Sequence, residues 1–238
     1  MVKVLTKRSL LLALLILCSL LLPKRAIALN PYTWVSNAGT SVKLYVNGKL
    51  VASAPAEMAD MIYSSNEKLQ KLFERNNKGL YFKINKLDED VFVISSKNGK
   101  DIFVVTSDIA EYHKSTPQLL AGIWLSNVYE ALYGLHDTAI YKDYVTVTWY
   151  GGPKWEGNKT ANGEIFYNWK LTAASNDLPF NSIVKLHNPK NNKSIIVRIN
   201  DRCAKSGIID VSRLAAELLG ITRIGVAKLR MEVLHLPE

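Results

Sequence analysis

Cysteine is nearly absent: the 238 residues hold two, Cys18 and Cys203. Cys18 lies in an apolar N-terminal stretch. A chain cut after that stretch keeps one thiol and no intrachain disulfide, so burial alone has to hold the fold. Histidine is scarce as well, with four in the chain. His187 and His235 are isolated, and nothing has metal-ligand spacing, so neither a metal nor a cofactor is expected. Internal repeats, low-complexity tracts and Pro/Gly-rich linkers are missing, which excludes repeat arrays and disordered tethers. No apolar run reaches the ~20 residues that cross a bilayer as a helix. The longest, Leu10 to Leu22, has 13. Acids are missing from residues 1–28, which carry Lys3, Lys7, Arg8, Lys24 and Arg25. Without those five, the formal charge of +9 falls to +4. No aromatic-basic interleaving accompanies it, so nucleic acid is not an expected partner.

What is present divides into three spans. Residues 1–28 run from basic residues to a leucine-rich core and then to Ala26-Ile27-Ala28, the order of a cleaved secretory signal. An uncleaved anchor is the alternative, because Lys24-Arg25 fall in the cleavage region. Leu17 stands before Cys18 where a lipoprotein signal needs a small residue, so lipidation is not expected.

Residues 29–140 balance 11 basic against 12 acidic side chains. Ser41 to Val46 alternates as a half-buried strand, Asn47-Gly48 is a hairpin turn, and Leu50 to Ala52 returns. Met58, Met61, Ile62, Leu69, Leu72 and Phe73 form a helical stripe. Leu80 to Ile84, Val91 to Ser95 and Ile102 to Val105 read as strands. Thr116-Pro117 opens a helix through Leu132. The order ββαβββα predicts a small α+β domain without a catalytic motif. Its expected role is to position or protect the following span, or to bind an envelope partner.

Residues 141–238 carry nearly every polar motif and 14 basic against 9 acidic residues. Strands are predicted over Val145 to Tyr150, Ser182 to Leu186, Ser194 to Ile199 and Lys228 to Leu234, with Ser212 capping a helix that Gly220 ends. The motifs run Trp149-Tyr150-Gly151, Thr160-Ala161-Asn162-Gly163-Glu164, Leu171-Thr172-Ala173-Ala174, Leu178-Pro179, Val197 to Arg202, and Ile209-Asp210-Val211-Ser212, with Leu219-Gly220 behind the helix. In this order they resemble the RlpA-like double-psi β-barrel family. Those are bacterial envelope proteins that include lytic transglycosylases cutting peptidoglycan. The resemblance covers about Tyr144 to Leu234. It implies a six-stranded double-psi β-barrel with a short helix, export across the inner membrane and a periplasmic or envelope location. The SPOR module of many such proteins is not expected here. Two positions depart from the family pattern: Ser175 stands where histidine is usual, and Cys203 where glycine is. The barrel span is expected to fold by itself.

Cutting a glycan requires a group that protonates the leaving oxygen and stabilisation of an oxocarbenium-like centre at C1. In a lytic transglycosylase the muramoyl 6-hydroxyl is the nucleophile, so one carboxyl group can serve as acid and then base. The resemblance implies Asp210, Asp201 and Glu164 as the catalytic carboxylates, with the choice of acid open. Tyr150, Thr160, Asn162, Ser175 and Arg202 are the candidate sugar contacts. Structural alternatives stand beside each. Asp201 can cap a turn, Asp210 can cap the helix, Thr160 and Asn162 can fix their turn, and Arg202 can pair with Asp201. Trp149, Tyr150 and Trp155 are a stacking platform or core. Serine cannot carry charge as histidine does, so the alternative function is an expansin-like module that binds the wall without cutting it.

Overall fold

In a computed structural model, residues 31–75, 79–134 and 140–237 are described; the expected export signal lies outside them. Alternation of period two builds the first sheet. Val42, Leu44 and Val46 of β2 (Ser41–Val46) are fully buried, while Lys43 and Tyr45 take the other face. The chain returns as β3 (Lys49–Pro55) through Asn47-Gly48, both at positive φ, as an Asn-Gly turn requires. A third strand, β1 (Thr33–Asn37), pairs antiparallel with β2 and was not expected. Its pattern is inverted: Thr33 points inward, whereas Trp34 is 43% exposed and stacks on Tyr45 at 4.1 Å.

The α1 helix (Ala59–Arg75) buries Ile62, Leu69 and Phe73. A second antiparallel sheet follows from β4 (Phe82–Asp88), β5 (Val91–Ser96) and β6 (Asp101–Val105). Then come α2 (Ser107–Tyr112) and α3 (Pro117–Tyr133). Thr116 caps α3 by accepting the Leu119 N–H at 3.3 Å, and Pro117 occupies the first turn. The region therefore runs βββαβββαα, a correction to ββαβββα. With six residues, α2 is too short to show a helical period.

Six strands close the barrel: β7 (Ile140–Tyr150), β8 (Thr172–Ala174), β9 (Ile183–Asn188), β10 (Lys193–Asp201), β11 (Ile208–Ser212) and β12 (Val226–His235). Their closed order is β10-β8-β11-β7-β12-β9. Two pairs are parallel, β10 with β8 and β11 with β7, and the others are antiparallel. The α4 helix (Arg213–Leu219) ends at Gly220, whose φ of 69° is the left-handed C-cap. Ser212 stands at the N-cap position, but its hydroxyl donates to the Lys170 carbonyl and does not cap the helix.

Residues 31–238 pack as one compact unit, and the expected boundary at 140/141 falls at the start of β7. One face of α3 makes the junction through residues four apart. A Cβ on Gly122 would meet Leu218 Cδ1 at 2.8 Å and Leu214 Cδ2 at 3.2 Å, so glycine there permits the approach of α3 to α4. Ser126 Oγ accepts the Ile196 N–H at 3.0 Å, satisfying an amide of β10. Glu130 joins Lys185 of the barrel to Lys49 of β3, both at 2.9 Å. Burial opposes its charge, but the two lysines outweigh burial and hold the Glu130 carboxyl below the usual range. Among the described residues no helix is long and apolar enough to cross a membrane.

Candidate active site

Strand register brings two of the expected carboxylates together. Asp201 of β10 and Asp210 of β11 are both register partners of Ala174 on β8. They flank one strand, which sets their Cα atoms about 9–10 Å apart and lets the side chains converge. Thr148 is the partner of Asp210 on the other side and donates its hydroxyl to Asp210 Oδ1 at 2.5 Å. Burial raises the Asp210 carboxyl. The Thr148 hydrogen bond offsets this in part, and the charge of Asp201 adds to it. Tyr150, two residues beyond Thr148, donates to Asp201 Oδ2 at 3.4 Å. Its ring stacks on Phe166 at 4.6 Å and meets the edge of Trp155 at 6.0 Å. Burial, and then the charges of both aspartates, push the phenol upward, so Tyr150 is a neutral donor. Trp149 packs against the core.

Asp201 also anchors a turn. Its Oδ1 accepts the N–H of Ala161 and that of Arg202, each at 2.8 Å. Within that turn Thr160 is buried, with its hydroxyl directed to Asn162 Oδ1 at 2.8 Å and the Glu164 carbonyl at 3.0 Å. Asn162 Oδ1 accepts the Glu164 N–H, and the Asn162 N–H donates to the Asn200 carbonyl. Thr160 and Asn162 are thus engaged in fixing the turn.

Glu164 is set apart from the aspartates. Arg198 donates to its Oε2 at 2.7 Å and Asn200 to the same oxygen at 3.2 Å, while Lys83 of β4 reaches Oε1 at 3.2 Å. Burial opposes ionisation of Glu164. Arg198, Lys83 and Asn200 together outweigh it and hold the carboxyl down at about 2. Glu164 is therefore ionised at neutral pH.

Ser175 is fully buried; its hydroxyl accepts the Asp177 N–H at 3.2 Å and its carbonyl accepts Arg202 Nη1 at 2.7 Å. Arg202 also reaches the Leu178 carbonyl at 3.1 Å, and its guanidinium lies 3.7 Å from the Phe180 ring centre. It clamps residues 175–180 and pairs with backbone, not with the Asp201 carboxylate. Cys203 has no positive φ, so the residue replacing glycine adds no backbone strain.

Four contributors are not among the sequence-derived site candidates: Thr148, Arg198, Asn200 and Asn168. Arg198 had a signal. A charge inside the apolar run Ile195 to Ile199 has to be buried and paired. Asn168 joins the Trp149-Tyr150-Gly151 motif to α4. Its Oδ1 accepts the Gly152 N–H at 2.9 Å, its carbonyl accepts the Leu214 N–H at 3.0 Å, and its N–H donates to Glu156 at 2.9 Å. A Cβ on Gly151 would lie 2.3 Å from that Oδ1. Gly151→Ala should displace Asn168 and cost about 1–3 kcal/mol, read as a lowered midpoint in urea unfolding. An unchanged midpoint would show that Asn168 has room to move.

Residues 143–231 match the family model described as lytic transglycolase. Three similar proteins are each named endolytic peptidoglycan transglycosylase RlpA. That of Rickettsia bellii is 48% identical over 92 residues, covering 37% of this chain and 40% of that protein. That of Rickettsia felis is 43% identical over 106 residues, covering 43% and 46%. That of Pseudomonas aeruginosa is 36% identical over 131 residues, covering 52% and 38%. The chain spans less than half the length of each of these relatives.

Proposed function

We propose that this chain, whose barrel belongs to the RlpA-like double-psi β-barrel family, is an endolytic peptidoglycan lytic transglycosylase of the cell envelope. It cuts MurNAc–GlcNAc bonds within glycan strands and leaves 1,6-anhydromuramoyl ends. The observation that carries the assignment of roles is the setting of Asp210: half-buried, hydrogen-bonded to Thr148 and raised by burial and by Asp201. Such a carboxyl retains its proton closer to neutral pH than an exposed aspartate, as a general acid requires.

In the reaction Asp210 gives its proton to the bridging oxygen as the bond from C1 to that oxygen breaks. The muramoyl 6-hydroxyl attacks C1, and its proton returns to the Asp210 carboxylate. No water is consumed. Asp201, anchored through its Oδ1, supplies negative charge near the developing oxocarbenium centre and keeps the Asp210 carboxyl raised. Tyr150 and Trp155 offer ring surface beside this row, and Trp155 is exposed. Residues 1–28 serve as the export signal that delivers the protein to its substrate.

The test is mass spectrometry of purified glycan strands incubated with the chain. Anhydromuramoyl ends are expected. Reducing ends would make it a hydrolase. Retained binding without cleavage would place it with expansin-like wall-binding modules.

A further inference from the structure

We propose that Lys83, backed by Tyr81, is a positioning residue for Glu164, and that the α+β region completes the barrel site through it; this rests on the transglycosylase reading above. Residues 81–83 lie outside the 143–231 span of the family match.

The placement begins at Phe82. Its carbonyl accepts the Tyr129 hydroxyl at 2.9 Å and its N–H donates back to that hydroxyl at 3.0 Å, so α3 holds the start of β4 on both sides. Phe82 is buried in the core, and period two turns its neighbours Tyr81 and Lys83 the other way. That direction faces the barrel. The Tyr81 ring centre lies 4.5 Å from the Arg198 guanidinium and 5.7 Å from the Lys83 ammonium. Arg198 is 1% exposed and also donates to Asn181 at 2.9 Å. Each oxygen of Glu164 is therefore held from a different region: Oε2 by Arg198 and Asn200 of β10, Oε1 by Lys83 of β4.

The charged and titratable groups facing Glu164 are Arg198, Lys83, Lys170 and Tyr129. Lys170 donates to the Ile165 carbonyl at 2.7 Å. Burial pushes the Tyr129 phenol up to about 12, so it stays neutral. Three cations around one carboxylate keep it ionised and fix its rotation. The consequence reaches the aspartates through backbone. The Glu164 N–H and carbonyl are bonded to Asn162 and Thr160, and the Ala161 N–H between them holds Asp201. Lys83 thus acts on the aspartate pair through Glu164 and the turn that Glu164 closes.

As an ordinary ion-pair partner, a lysine 29% exposed would add little stability and nothing else. The experiment separates the two roles in the full chain. Lys83→Met, Lys83→Arg and Lys49→Met are compared by the carbon-13 NMR titration of the Glu164 side chain and by kcat and KM on purified glycan strands. Lys49→Met breaks an ion pair inside the α+β region and serves as the control. Lys83→Met should move the Glu164 titration upward and lower kcat about tenfold, with KM within about twofold. Lys83→Arg should restore both, and Lys49→Met should move neither. An unchanged titration in Lys83→Met overturns the proposal, whether or not the wild type cuts. So does an equal loss of kcat in Lys49→Met. A wild type that cuts no strand removes the transglycosylase reading and the role in rate, while the titration still reports whether Lys83 holds Glu164.

Discussion

Asp210→Asn should lower strand cleavage by at least about 10²-fold, the low end for loss of a general acid, and leave the unfolding temperature equal or slightly higher. The two effects share a cause. Folding raises the Asp210 carboxyl, through burial first and the charge of Asp201 after it. The folded chain therefore holds this proton where the unfolded chain has released it. Stability falls as pH rises from the unfolded value to the raised folded one, and the deficit persists above it. Asparagine keeps the acceptor for Thr148 and cannot ionise, so the deficit disappears. Because Asp210 is only half-buried, solvent screens the effect and the gain at neutral pH is small. With Asp210 as the proposed acid, the wild-type rate should fall as pH rises through its folded value, whereas the residual rate of the variant should not. Scanning fluorimetry at several pH values, beside mass spectrometry of digested strands, measures both. A variant with wild-type rate would remove Asp210 from the acid role. A variant that unfolds well below wild type would mean that the carboxylate is structural.

The barrel was legible because its motifs sit where strands end, and alternation in Val145 to Tyr150 or Lys228 to Leu234 marks the strands themselves. The α+β region was legible where the pattern had length or a strong turn, as at Asn47-Gly48 and along α1 and α3. It failed at β1, where threonine faces the core and tryptophan the solvent, and at the single short helix α2. The site was half legible. Asp201 and Asp210 were both named, but their meeting across Ala174 depends on register between three strands, which no local pattern encodes. Glu164 was grouped with them by motif. Its partner Lys83 lies 81 residues earlier, in a region without a recognisable motif, so nothing nearby in sequence announces the ion pair that separates it from the aspartates. Arg202 illustrates the same limit. An arginine beside an aspartate suggests a pair, yet its Nη1 serves the carbonyls of Ser175, Leu178 and Asp201.

Arg198→Met should destabilise the protein by about 3–5 kcal/mol, the range for removing one member of a buried pair, and lower its melting temperature by on the order of 10 °C. Methionine fills much of the volume of the arginine stem, so the loss is chiefly electrostatic. The Glu164 carboxylate keeps Lys83 and Asn200 but loses the guanidinium at 2.7 Å that sets most against its burial. The pH dependence identifies the cause. In the wild type Glu164 is held down at about 2 from an ordinary value of 4.5. Its stabilisation is therefore complete above the ordinary value and is lost as pH falls toward the folded one. In Arg198→Met that source of stability is reduced or reversed, so the gap to wild type is widest at neutral pH and narrows on acidification, as Glu164 takes up a proton. Adding Glu164→Leu should recover part of the loss, because two apolar side chains replace an unpaired charge. Urea unfolding of the wild type, both single variants and the double variant at pH 7 and pH 4 closes the cycle. Additive losses at both pH values would mean that Arg198 and Glu164 do not depend on each other.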